Sequence, residues 1–160
     1  MQANTLDSIT LSDGRKLEYA EYGDPEGTPC MFFHGFIGSH HQASPGHDAA
    51  CKNQLRLIAW NRPGVGNSSP HETHTIQERM EDVRQLLDAL GVEEHSVIGV
   101  SGGVPYALAA AASFKSRIKS IAAISGIGPV SDHTLFAKME PSRRRTMSLG
   151  KFPSIASMYL

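Results

Sequence analysis

The 160-residue chain carries little that would cross-link, anchor or charge it. It has two cysteines, Cys30 and Cys51, too few for a disulfide framework and without the C-x-x-C spacing of a metal or redox site. Two unpaired thiols are the ordinary state of a cytoplasmic protein, and that location is expected. Met1 to Ser8 has neither a basic nor an apolar region, so it does not read as a secretory signal. No run approaches the roughly 20 apolar residues of a membrane span. The longest candidate, Val104 to Ala112, is short and contains Pro105 and Tyr106. An excess of one charge is also missing: 15 basic residues face 16 acidic ones, for a net charge of -1. Neither nucleic acid nor an anionic membrane finds a basic field to bind. The histidines lack H-E-x-x-H or comparable spacing, so no metal is expected. There is no internal repeat and no low-complexity segment.

What is present is a globular composition, with 40% hydrophobic and 19% charged residues. Ile9 to Tyr22 reads as a hairpin turning at Asp13-Gly14. Cys30 to Phe33 is a short apolar run that suits a strand buried on both faces, and Leu55 to Trp60 is another strand candidate. The clearest helix spans Ile76 to Leu90, where Ile76, Met80, Val83, Leu86, Leu87 and Leu90 form one apolar stripe. Thr75 and Glu78 have capping-box spacing, and Gly91 stands as its C-cap. Ser96 to Val100 reads as a strand, Val104 to Phe114 as an alanine-rich helix and Ile118 to Ser125 as a last strand. Strands alternating with helices predict an α/β fold: a mostly parallel sheet with helices on both faces. From Pro129 to Leu160 the chain is polar and reads as helical pieces without a further strand.

Gly99-Val100-Ser101-Gly102-Gly103 matches G-x-S-x-G between a strand and a helix, the setting of a nucleophile elbow. A sharp turn there exposes the serine hydroxyl, Gly99 and Gly103 permit close backbone packing, and the helix N-terminus offers N–H groups to developing negative charge. A phosphate-binding loop is the competing reading, but G-x-G-x-x-G and G-x-x-x-x-G-K are absent. His34-Gly35-Phe36-Ile37-Gly38-Ser39 follows a buried strand, and its Phe36 N–H is the candidate second oxyanion donor beside Gly102 N–H. His34 is expected to shape that loop, with Gly35, rather than act as base. Asn61 to Pro70 reads as a stiff loop in which Arg62 is an anchor.

These segments together resemble the N-terminal part of an α/β-hydrolase, in the branch whose pattern runs F-H-G-x-x-G-S, D-R-P-G-x-G-x-S-x-P and G-x-S-G-G-x-P-Y-A-L-A. Here those are Phe33 to Ser39, Asn61 to Pro70 and Gly99 to Ala109. The one departure is Asn61, where the family commonly has aspartate. The resemblance implies a carboxylesterase-like serine hydrolase that acts on an ester or related acyl bond through acyl-Ser101, without cofactor. It also implies a core over residues 1–128 and the start of a cap or lid over 129–160. Members that open epoxides or remove halide carry aspartate at the elbow, which Ser101 is not. A cofactor-free oxygenase or perhydrolase on the same fold is a further possibility.

In this fold the acid and the histidine follow the serine in chain order. After Ser101 the only histidine is His133, next to Asp132. One dipeptide is not expected to align both side chains with Ser101. His47, His71, His74 and His95 read as solvated or loop histidines, while His40 and His41, near the oxyanion loop, stay in reserve. The expectation is therefore a truncated hydrolase core whose base and acid lie outside the chain. Its sheet edge would be open to a complementing C-terminal half or to self-association. The alternative is a small-molecule-binding or inactive homologue. Arg143 to Arg145 reads as the polar face of a cap helix.

Overall fold

The computed structural model describes residues 3–72, 75–128, 133–142 and 144. The chain forms two compact units, Met1–Gly126 and Ile127–Leu160. The first holds six strands: β1 (Thr5–Thr10), β2 (Lys16–Gly23), β3 (Thr28–Phe33), β4 (Leu55–Trp60), β5 (His95–Val100) and β6 (Ile118–Ile124). Its helices are α1 (His47–Lys52), α2 (Ile76–Ala89) and α3 (Val104–Phe114). In the second unit the short helix α4 spans His133–Lys138. Asp132 and all of the Arg143–Arg145 run but Arg144 fall outside the described residues, as does His74.

The strands form one sheet in the order β1-β2-β4-β3-β5-β6. β1, β2 and β4 pair antiparallel, and β4, β3, β5 and β6 run parallel. This is the mostly parallel α/β sheet the alternating pattern predicts. β3 sits at its centre, which is why Cys30 to Phe33 is apolar at every position. Met31 and Phe33 enter one core with Trp60, Val97, Leu86, Leu87 and Ala107, beneath α2 and α3. Cys30 and Phe32 face the opposite core with Ala20, Tyr22, Ala43 and Ala50, beneath α1. Burial pushes the Cys30 thiol up to about 12, so it stays protonated.

α2 forms as its stripe requires, with Met80, Val83, Leu86 and Leu87 buried. Burying each such side chain stabilises by about 1.5–3 kcal/mol, more than the roughly 1 kcal/mol of a cap. The cap differs in detail from a reciprocal box. Thr75 Oγ1 accepts from Glu78 N–H at 3.3 Å and donates to the Glu78 carboxylate at 2.6 Å. At the other end Gly91 takes φ +65°, and Val92 N–H reaches Leu87 O at 2.8 Å. Asp82, buried within α2, is matched by a bidentate Arg15 from the hairpin at 2.6 and 2.8 Å.

Sequence reading misses the segment between β3 and β4. It holds a 3-10 stretch, His40–Gly46, and then α1. Only Ala50 of α1 is buried, so the helix has no apolar period to detect. The histidines also need correction. His95 is buried rather than solvated, and His40, held in reserve, is buried too. His95 opens β5 one residue earlier than expected and lies edge-on to Phe114 of α3.

His95 is fully buried, and neither ring nitrogen has a hydrogen-bond partner. Burial, with the Arg117 charge as a lesser cause, pushes its pKa down to about 4. The folded state thus needs the neutral ring while the unfolded chain protonates near pH 6.5. Stability from this depressed pKa is present above pH 6.5 and lost as pH falls towards 4. The melting temperature of His95→Leu should therefore depend less on pH across that window than that of the wild type. Parallel pH profiles would refute this account.

Candidate active site

β4, β3 and β5 are parallel neighbours, so their carboxyl ends open on one side. Phe32 pairs with Ala59 and Phe33 with Gly99, which sets the three ends level. Each motif leaves one of these ends: Asn61–Pro70 after β4, His34–Ser39 after β3 and Ser101–Gly103 after β5. In open α/β sheets the crevice beyond the carboxyl ends is where ligands bind.

Ser101 is half-buried and has φ +51°, a left-handed conformation that non-glycine residues rarely adopt. A tight 3-10 turn, Ser101–Gly103, then enters α3, with Pro105 in the first turn. Close packing holds this strained turn. A Cβ on Gly99 would lie 2.8 Å from Val104 Cα and Ala107 Cβ of α3. One on Gly103 would collide with Phe33 O and lie 2.8 Å from His34 O. The Ser101–Gly103 turn is thereby pressed onto the loop that follows β3. A Cβ on Gly102 would be 2.9 Å from Phe36 N, and one on Gly35 3.6 Å from Ser101 Cβ. The structure thus brings together Ser101, Gly102, Gly35 and the backbone of Phe36.

Arg62 fixes the loop from beneath. The residue is only 9% exposed. It donates to His34 Nδ1 at 2.7 Å, to Phe36 O at 3.1 Å and to Gly35 O. It also lies 5.2 Å from the centroid of the Tyr106 ring. His34 is buried, and that burial, reinforced by the Arg62 charge, pushes its pKa down to about 3. With Nδ1 accepting from Arg62, the neutral ring is a structural part of the loop. Behind Arg62, the buried Glu18 carboxylate accepts from Asn61 Nδ2 at 2.6 Å and from Asn67 Nδ2 and N–H at 2.5 and 3.1 Å. Burial alone would raise Glu18, but these bonds hold it below the usual carboxylate value. Gly66, at φ +58°, leaves room for the network, since a Cβ there would strike Glu18 and Asn61.

Among the described residues of the first unit, no histidine hydrogen-bonds the Ser101 hydroxyl. His40 Nδ1 instead pairs with the Tyr22 hydroxyl at 2.9 Å, and its backbone N–H donates to Asn61 Oδ1 at 2.7 Å. His41 is exposed and packs on the His40 ring at 4.1 Å between centroids. His47 Nδ1 accepts from Gly23 N–H. His133 begins α4 in the second unit. No group of three His, Cys, Asp or Glu among the described residues is placed to hold a metal. No helix among them is long and apolar enough to cross a membrane. Two apolar side chains rim the site from the loop, Phe36 at 48% and Ile37 at 54% exposure.

Known proteins resemble this chain in sequence and fold. A family model described as alpha/beta hydrolase fold matches residues 28–146. A 3-oxoadipate enol-lactonase of Acinetobacter baylyi is 34% identical over 95 residues, covering 59% of this chain and 35% of that protein. A proline iminopeptidase of Xylella fastidiosa is 31% identical over 106 residues, covering 63% of this chain and 33% of its own. The chain thus spans about a third of the curated relatives it matches. A hydrolase from Pseudomonas aeruginosa shares the fold with TM-score 0.72 at 24% identity, over 93% of this chain and 59% of its own.

Relieving the left-handed strain should stabilise the chain. Ser101→Gly is expected to raise the unfolding free energy by about 1 kcal/mol over Ser101→Ala, as read by urea unfolding. Equal stability of the two variants would show that φ +51° is not strained here.

Proposed function

Since this chain belongs to the α/β-hydrolase fold family, we propose that it is a serine hydrolase acting on an ester or related acyl bond, with Ser101 as nucleophile. The observation that carries this reading is a serine held at φ +51° in a turn whose next residue, Gly102, packs against the Phe36 backbone nitrogen. Ser101 Oγ attacks the substrate carbonyl carbon and gives its proton to a base. The carbonyl oxygen becomes an oxyanion between Phe36 N–H and Gly102 N–H, where α3 also presents its positive end. Collapse expels the alkoxide or amine, which takes up a proton, and leaves acyl-Ser101 for water to cleave. The first N–H groups of a helix have no partner within it, which leaves Gly102 N–H for this task. Phe36 and Ile37 offer an apolar surface to the acyl chain. The relatives include a lactonase and iminopeptidases, which supports an ester or amide bond as the target.

Base and acid are assigned to positions outside the first unit's described residues, because no described histidine of that unit bonds Ser101. The same observation supports a second reading, a homologue that binds a small molecule without turnover. The near-neutral charge favours a small-molecule substrate over nucleic acid or a membrane surface. The two free cysteines favour the cytoplasm.

β6 is an edge strand in this sheet, exposed over nearly its whole length, with Ile121 at 44% and Ile124 at 49% exposure. A complementing segment or a second copy of the chain is proposed to pair along it.

Two measurements test these proposals. A fluorophosphonate should phosphonylate Ser101, with loss of fluoride, in the wild type and not in Ser101→Ala, as read by intact mass. The adduct should form slowly, because an oxyanion hole without a full triad retains about 10³–10⁴-fold catalysis over water. No adduct on a folded sample would support the binding-only reading. Sedimentation of the same sample tests β6. A concentration-dependent dimer that Ile121→Lys dissolves supports self-association, and a strict monomer rejects it.

A further inference from the structure

The solvent side of the oxyanion loop is held by one side chain. Gln42 lies in the 3-10 stretch after the loop, and its amide reaches back across the turn. Oε1 accepts from Gly35 N–H at 2.7 Å, and Nε2 donates to Ile37 O at 3.1 Å. The backbone beneath Gln42 is fixed independently. Its N–H reaches Ser39 O at 3.1 Å, the N–H of His40 is held by Asn61 Oδ1, and Ala43 is buried. The loop leaves space for this amide, since a Cβ on Gly38 would fall on it.

We propose that Gln42 is a positioning residue for the oxyanion hole, holding the His34–Gly38 turn from outside while Arg62 holds it from inside. The division of bonds supports this assignment. Arg62 takes the carbonyls of Gly35 and Phe36. Gln42 takes the flanking Gly35 N–H and Ile37 O. Phe36 N–H lies between these points, is used by neither clamp, and faces the Gly102 turn. With both adjoining peptides tied, the plane of the 35–36 peptide cannot rotate freely. Such rotation would turn the Phe36 donor away from the site. A donor aligned before the reaction needs no reorganisation as charge develops, which is the source of oxyanion-hole catalysis. The functional part of this inference rests on reading Ser101 as the nucleophile; the clamp itself does not.

Gln42 is exposed, so its replacement should not unfold the chain. Three variants separate the roles. Gln42→Met keeps the length and removes both bonds, Gln42→Ala removes the side chain, and Gln42→Glu keeps the acceptor for Gly35 N–H. The first arm is amide exchange at Gly35 followed by NMR. Exchange should speed up about threefold or more in the Met and Ala variants and remain near wild type in Glu. The second arm is the saturable rate of fluorophosphonate labelling at Ser101. Its limiting rate should fall about 3–10-fold in the Met and Ala variants, with half-saturation and melting temperature little changed, and less in Glu. Unaltered Gly35 exchange in Met and Ala would overturn the clamp. Faster exchange with an unaltered limiting rate would overturn its role in the oxyanion hole. If the wild type takes no label, the nucleophile reading loses its support, and exchange alone decides the clamp.

Discussion

The backbone of Gly103 runs so near the end of β3 that a Cβ there would collide with the Phe33 carbonyl oxygen. The rest of the site depends on this approach. It brings the first turn of α3 against the strand from which the His34–Ser39 loop departs, so that Gly102 and Phe36 meet through their backbones. Any side chain at residue 103 would have to separate β3 from the elbow. The left-handed Ser101 is the other consequence. The chain must reverse from β5 into α3 within three residues, and close packing of Gly99 and Gly103 on both sides of the turn maintains the strain.

A buried positive charge sits under this junction without a carboxylate partner among the described residues. An unpaired ion in the interior is costly. Arg62 is accommodated because two loop carbonyls and a neutral imidazole accept from it and the Tyr106 ring lies alongside. The same burial and charge keep His34 unprotonated, so the two residues stabilise one another's state. A protonated His34 would set two buried cations together, which is the physical reason its pKa lies low.

Glu18 accounts for the departure at residue 61. Asn61 donates its amide to the Glu18 carboxylate and accepts the N–H of His40. An aspartate in that place would still accept from His40, but would offer Glu18 no donor and would set two carboxylates side by side. The neutral amide therefore links β2, the end of β4 and the 3-10 stretch that carries Gln42. Hydrogen bonds thus tie Glu18 of β2 to the start of the 3-10 stretch, and Gln42, two residues on from His40, bonds the His34–Ser39 loop.

Much of this was legible in the chain itself. The stripe from Ile76 to Leu87, the Asp13-Gly14 turn and the apolar run before His34 determine elements by local physics: period, φ preference and burial on both faces. Gly99, Ser101 and Gly103 read as a sharp turn because an apolar strand precedes them, a helix follows, and close packing there needs small residues at that spacing. α1 escaped notice because it buries a single alanine, and His95 was misplaced because a lone histidine carries no sign of what will pack on it. Gln42 and Glu18 have no local signature either, since their partners lie in other segments. Sequence determined that three motifs each follow a strand. Only the tertiary structure decided that those strands, β4, β3 and β5, lie side by side and end level, because strand order and register are set by long-range pairing that no local window contains.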